Sequence, residues 1–159
     1  MGQKALAKWL KAILVGVGIC GLIVYFLILP SYGQDLVFDY PEFRGRFWPW
    51  MVFLWCTGFP CYIALFFGWK IAGKIGTDQS FSDENACYLK WISWLAAGDA
   101  VFFFLGNLVF SFMDMSHPGV FLFLMLIVFA GIAVAVVSAV LSHRVKKAAV
   151  LQEQSDLTI

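Results

Sequence analysis

Polar positions crowd into a few short stretches of this chain and are nearly absent between them. The apolar runs they separate cover residues 9–29, 47–69, 91–113 and 120–142. Each reaches the roughly 20 residues that a helix needs to cross a bilayer. The pattern predicts an all-α integral membrane protein. Its fold is a four-transmembrane-helix bundle forming one domain over residues 1–159, with a short cytoplasmic tail at 143–159. The first run follows Lys4, Lys8 and Lys11, as the apolar part of a signal peptide would. It is longer than such a segment, and no small-residue cleavage site follows it. It reads as a retained anchor.

Composition strengthens the membrane reading. Hydrophobic residues make up 62% of the chain and charged residues 13%, and the mean hydropathy is +0.83. A soluble domain is about half apolar and a quarter charged. The formal net charge of +1 carries none of the clustered basic surface that nucleic-acid binding needs. The placement of the cations is more informative than their sum. Lys4, Lys8, Lys11, Lys70, Lys74, Lys90, Arg144, Lys146 and Lys147 fall on one side of the predicted spans, and only Arg44 and Arg46 on the other. Basic residues are retained in the cytoplasm, so both termini and the loop between the second and third spans are expected there.

The segments between the spans sharpen this picture. Pro30 and Gly33 are expected to stop the first helix and turn the chain. The aromatic residues Phe43, Phe47, Trp48 and Trp50 suit the belt at a membrane surface, or else a small outer lid. Pro60 lies in the middle of the second span, where it frees the carbonyl of Cys56 and predicts a kink. Ser82 is placed to cap the third helix, and Asp83 and Glu84 suit its positive end. The turn DMSHPG, residues 114–119, makes the last two helices antiparallel neighbours, with His117 read as a turn residue. Gly131, Ala135 and Ala139 in the fourth span, and Gly16 and Cys20 in the first, form small-residue stripes of the kind that let helices approach. They suit ordinary bundle packing or a homo-oligomer. The four cysteines read as small hydrophobes; Cys56 and Cys61 lack C-x-x-C spacing.

One carboxylic acid interrupts the apolar pattern. Asp99 lies about 12 Å inside the third span, near the middle of a hydrocarbon core about 30 Å thick. An acid at that depth must face protein and find a hydrogen bond. Asn107 borders its face. Counting depth from the cytoplasmic ends places Asp99 level with Cys61 and Tyr62 and about a turn from Ser138. The carbonyl freed by Pro60, Tyr62 or Ser138 is its expected partner.

The segments PEF (residues 41–43), PCY (60–62), SFSDENACYLKWIS (80–93), GDAVFFFLGN (98–107), HPG (117–119) and LQEQSDLTI (151–159) resemble a bacterial family of small four-helix membrane proteins of unknown function. The resemblance covers nearly the full length. The family's tail often reads Glu-Asn-Asp-Leu-Thr, where this chain has Gln154, Ser155, Asp156, Leu157 and Thr158. The resemblance implies a bacterial plasma-membrane component encoded beside a small helix-turn-helix regulator. It implies no chemistry and no cofactor.

These features favour a non-enzymatic regulatory or interaction partner. The candidate partner-binding residues are Ser82, Glu84 and Asn85 in the cytoplasmic loop and Asp156, Leu157 and Ile159 in the tail. A small transporter or proton-linked channel built on Asp99 is the alternative, although no inverted repeat is evident. An enzyme is disfavoured. His117 and His143 lie outside the spans or at their edge, so no intramembrane haem ligands are available, and no catalytic constellation or metal cluster is visible.

Overall fold

The computed structural model describes residues 2–77, 79–116 and 118–156. His117, Leu157 and Ile159, named above, lie outside the described residues. Four helical stretches are long and apolar enough to cross a membrane: Gln3–Asp39, Arg44–Ile75, Asp83–Phe112 and Gly119–Ser155. The protein is therefore an all-α, multi-pass membrane protein.

The first stretch departs from the expectation of a stop at Pro30. Helix α1 (Gln3–Ile23) passes through a π-helical turn at Val24–Ile28 into α2 (Leu29–Asp39), and Pro30 and Gly33 lie within the continuous helix. The physical reason is a change of hydrogen-bond register. The N–H of Leu29 donates to the carbonyl of Val24, five residues back. Tyr25 would next receive the N–H of residue 30, and proline has none. The indole N–H of Trp55 takes that place, donating to the Tyr25 carbonyl at 3.1 Å. A carbonyl without a donor is costly in hydrocarbon, and a neighbouring helix that supplies one lets proline remain inside a span.

A 3-10 turn at Pro41–Arg46 leads into α3 (Phe47–Ile75), which carries Pro60 in its interior. The loop that follows leads to α4 (Asp83–Phe112). Ser82 Oγ accepts the backbone N–H of Asn85 at 3.3 Å and satisfies one of the donors that a helix start leaves free. The Asn85 amide donates to the carbonyls of Gln79 and Ser80 at 3.2 and 3.0 Å and folds the loop onto the helix start. Finally α5 (Pro118–Asp156) runs unbroken for 39 residues.

The helices pack in series. α1 packs on α3, α3 on α4 and α4 on α5. Among the described residues α1 makes no backbone approach within 8 Å to α4 or α5, nor α3 to α5. The bundle is an open one, and each joint has its own chemistry. Between α1 and α3 the joint is made of glycines receiving side chains. Gly18 lies beneath Leu65 and Gly21 beneath Tyr62; in return Gly58, Gly68 and Gly76 receive Tyr25, Leu14 and Ala7. Gly16 and Cys20, the stripe expected to pack, face no other helix: nothing lies within 4 Å of a side chain built at Gly16, and Cys20 is exposed.

Between α4 and α5 the buried residues alternate at spacings of three and four. They are Ala100, Phe103 and Asn107 on one helix and Leu124, Val128, Ala135 and Ser138 on the other. That is the repeat of a left-handed antiparallel pair. Gly131 sits against Ala100 within this seam, whereas Ala139, expected on the same stripe, is exposed. Two hydroxyls cross it: Ser93 donates to the carbonyl of Ala135 at 2.8 Å and Ser142 to that of Ala86 at 2.6 Å. Between lipid tails, where apolar burial supplies no drive, close approach and such hydrogen bonds hold helices together.

Candidate intramembrane site

The α3–α4 joint is held by aromatic rings towards both ends. Near the start of α3, Phe53 packs against Phe102, Phe103 and Phe110, and Trp50 against Phe110. Gly106 makes room for the Phe53 ring. Leu124 and Val128 of α5 complete this core. The end is latched by Trp50, whose indole N–H donates to the Met115 carbonyl at 2.9 Å, and by Arg46, whose guanidinium donates to the Asp114 carbonyl. Near the other end Phe67 stacks on Tyr88 and Trp91, Lys70 lies over the rings of Phe66 and Tyr88, and Lys74 pairs with Glu84 at 2.6 Å.

Between these clusters the helices leave an open groove of about 410 Å³. Cys56, Pro60, Trp94, Leu95, Gly98, Asp99 and Phe102 line it. Asp99 accepts one hydrogen bond, from the thiol of Cys61 at 3.8 Å on Oδ2. Its Oδ1 is buried and has no hydrogen-bond partner. The three partners expected from depth are thus corrected. Asp99 is not bonded to the carbonyl freed by Pro60. Tyr62 turns to α1 and donates to the Gly18 carbonyl at 2.7 Å. Ser138 is buried in α5, a helix whose backbone does not approach α3.

A polar chain continues from the groove towards α1. Thr57 donates its proton to the Leu54 carbonyl at 2.7 Å. Its oxygen therefore accepts from the Tyr25 hydroxyl, 3.2 Å away. Tyr25 in turn lies within electrostatic range of Cys61, Tyr62 and Asp99. Three helices thus contribute Tyr25, Thr57, Cys61, Tyr62 and Asp99 to one polar cluster at mid-span. Among the described residues no group of three or more His, Cys, Asp or Glu is arranged to hold a metal ion.

Asn107 does not belong to this cluster. It faces the α4–α5 seam, fully buried, and neither atom of its amide has a hydrogen-bond partner. At the α3–α4 loop, Ser82 is half-buried and Glu84 exposed, whereas Asn85 is 1% exposed. Asn85 is therefore part of the loop's internal architecture and not a surface offered to a partner, as its place in a polar run had suggested.

A family model described as "Protein of unknown function (DUF2975)" matches residues 31–159. The chain belongs to this family. Among curated proteins it is similar to the "Uncharacterized membrane protein YoaS" of Bacillus subtilis (strain 168), at 28% identity over 153 residues, covering 95% of this chain and 96% of that protein. No solved structure matches. The DUF2975 match takes in Thr57, Cys61, Tyr62, Asp99 and Asn107 and begins after Tyr25, so one member of the polar cluster comes from outside the matched segment.

Sequence reasoning found Asp99 and Tyr62 and placed Cys61 at their level without making it the partner of the acid, and it missed Tyr25 and Thr57. The available signal was the threonine one helical turn before Cys61 and level with the tyrosine of an antiparallel neighbour. Hydropathy windows count such residues as apolar or neutral.

Proposed function

We propose that this protein is a non-enzymatic membrane protein that works as a regulatory or interaction partner, with both termini in the cytoplasm. The nine cations gathered at one end of the spans support that orientation. The observation that carries the interaction reading is the length of α5. Its last hydroxyl tie to α4 is at Ser142, and the helix continues to Asp156. Those further 14 residues, counted from 142 to 156, carry the helix about 21 Å beyond that tie at 1.5 Å per residue. In this reading the polar end of the helix, Gln152 to Ser155, is the surface that meets a soluble protein. A helix-turn-helix regulator is the expected partner, with Ser82, Glu84, Asp156, Leu157 and Ile159 as the candidate contacts.

The test is co-purification from membranes of the full chain with the neighbouring regulator, repeated after deletion of residues 154–159. Capture by the full chain and loss on deletion are expected. Absence of capture by either form refutes the reading. Cysteine labelling from each side of the membrane tests the orientation independently.

A second reading is favoured by the mid-span carboxyl with one oxygen unpartnered: a small transporter or proton-linked channel. Proton or ion flux in liposomes that depends on Asp99 supports it, and flux indistinguishable from protein-free liposomes removes it.

A further inference from the structure

We propose that the groove between α3 and α4 is a binding site for a lipophilic organic cation, with Asp99 as its counter-ion. Four observations converge on that chemistry. First, the helices leave an open depression of about 410 Å³, large enough to seat a compact organic ion on the helix surface. Second, its one ionisable wall with charge to offer is a carboxyl. Asp99 Oδ1 is buried and unpartnered, and Oδ2 receives only a weak, long bond from a thiol.

Third, the protein supplies no positive charge at this depth. No Lys or Arg occurs between residues 12 and 43, 47 and 69, or 91 and 143, and the polar neighbours of Asp99, Cys61 and Tyr25, carry no cationic group. A carboxylate in such surroundings is costly unless a cation reaches it. Fourth, the remaining walls suit an organic cation rather than a metal ion. Trp94 and Phe102 are aromatic walls of the kind that attract positive charge, Pro60 and Leu95 offer apolar surface, and no second carboxylate lines the groove to complete a metal shell.

The position of the groove sets the character of the ligand. It opens at mid-span, where the surrounding medium is hydrocarbon, so the occupant arrives through the lipid and must carry apolar substituents around its charge. Gly98 keeps the groove open: a side chain built there meets nothing within 4 Å. Occupancy of the groove is independent of whether the occupant is carried across the bilayer, and it holds whether or not the end of α5 docks a soluble protein.

The test is equilibrium dialysis of the purified full chain in detergent micelles against radiolabelled tetraphenylphosphonium. Tetraphenylborate, of the same shape and opposite charge, is the comparison. Saturable binding of the cation and none of the anion is expected. Asp99→Asn should weaken cation binding at least about tenfold, as removal of one member of a buried charge pair does. Gly98→Leu, which fills the groove and leaves the carboxyl in place, should abolish it. Equal binding of the two ions, no saturable cation binding, or an unchanged affinity in Asp99→Asn overturns the proposal. Should Asp99→Asn fail to fold, Trp94→Ala decides: weakened binding upholds the site and unchanged binding overturns it.

Discussion

Trp55→Phe tests the account of the π turn directly. The substitution keeps an aromatic ring against Phe26, which stacks on Trp55 at 6.0 Å, and removes the N–H that serves the Tyr25 carbonyl. Because Pro30 cannot donate, that carbonyl is then left without a partner in a water-free setting. Hydrogen bonds between membrane helices are worth about 0.6–2 kcal/mol, and an orphaned buried acceptor costs about 1–3 kcal/mol. A loss of about 1–2 kcal/mol is expected. The decisive measurement is a double-mutant cycle with Pro30→Ala. Alanine restores a backbone N–H, and the Tyr25 carbonyl is then served either by residue 30 in the π register or by Leu29 in the α register. In the Pro30→Ala background Trp55→Phe should therefore cost only the change in ring packing. The two costs should differ by about 1 kcal/mol. Equilibrium unfolding of the purified chain in mixed micelles, followed by circular dichroism, gives all four stabilities. Equal costs of Trp55→Phe in the two backgrounds would refute the compensation of Pro30 by Trp55.

Three further outcomes are expected. Gly106→Ala would put a methyl group 2.5 Å from Phe53 Cζ and 3.0 Å from Cδ2, in a ring cluster with little room to move, and should lower stability in the same unfolding assay by about 1–3 kcal/mol. Asn107→Leu replaces a fully buried amide with no hydrogen-bond partner by an apolar side chain of similar branching. It should leave stability unchanged or raise it, and a clear loss would indicate that the amide has a partner. The Lys74 ammonium holds the exposed Glu84 carboxyl below its ordinary range. The pair's contribution is therefore present above the unfolded carboxylate value and is lost as pH falls through the folded one. Melting curves of Glu84→Gln should accordingly converge on those of the parent at acid pH and separate from them at neutral pH.

The spans were legible because crossing a bilayer demands about 20 apolar residues in a row, and a one-dimensional pattern records that demand fully. The failure at Pro30 has a different origin. Whether proline ends a helix inside a membrane depends on a donor from elsewhere in the chain, and Trp55 lies 25 residues away in sequence. Asp99 shows the same limit. Counting residues from the ends of the spans gives depth, and depth brought Cys61 and Tyr62 to the level of the acid. It does not give azimuth, so it could not tell that Tyr62 turns towards Gly18 while Cys61 turns towards Asp99. The small-residue stripes erred for a related reason. A strict four-residue spacing drifts around the helix, whereas the α4–α5 seam alternates three and four, which exchanges Ala139 for Ser138 and Ser142. Asn107 was placed beside Asp99 by angle alone, yet a rotation of less than a quarter turn was enough to assign it to the opposite neighbour.

The serial order of the helices has a consequence for biogenesis. Among the described residues every close backbone approach between spanning helices joins a segment to the one synthesised just before or just after it, so no span depends for its main packing on a distant partner yet to emerge. As each hairpin leaves the insertion machinery, its earlier half is already seated. Assembly can advance in step with translation, and an interruption at any point would leave a correctly joined N-terminal fragment rather than a tangle of unmatched segments.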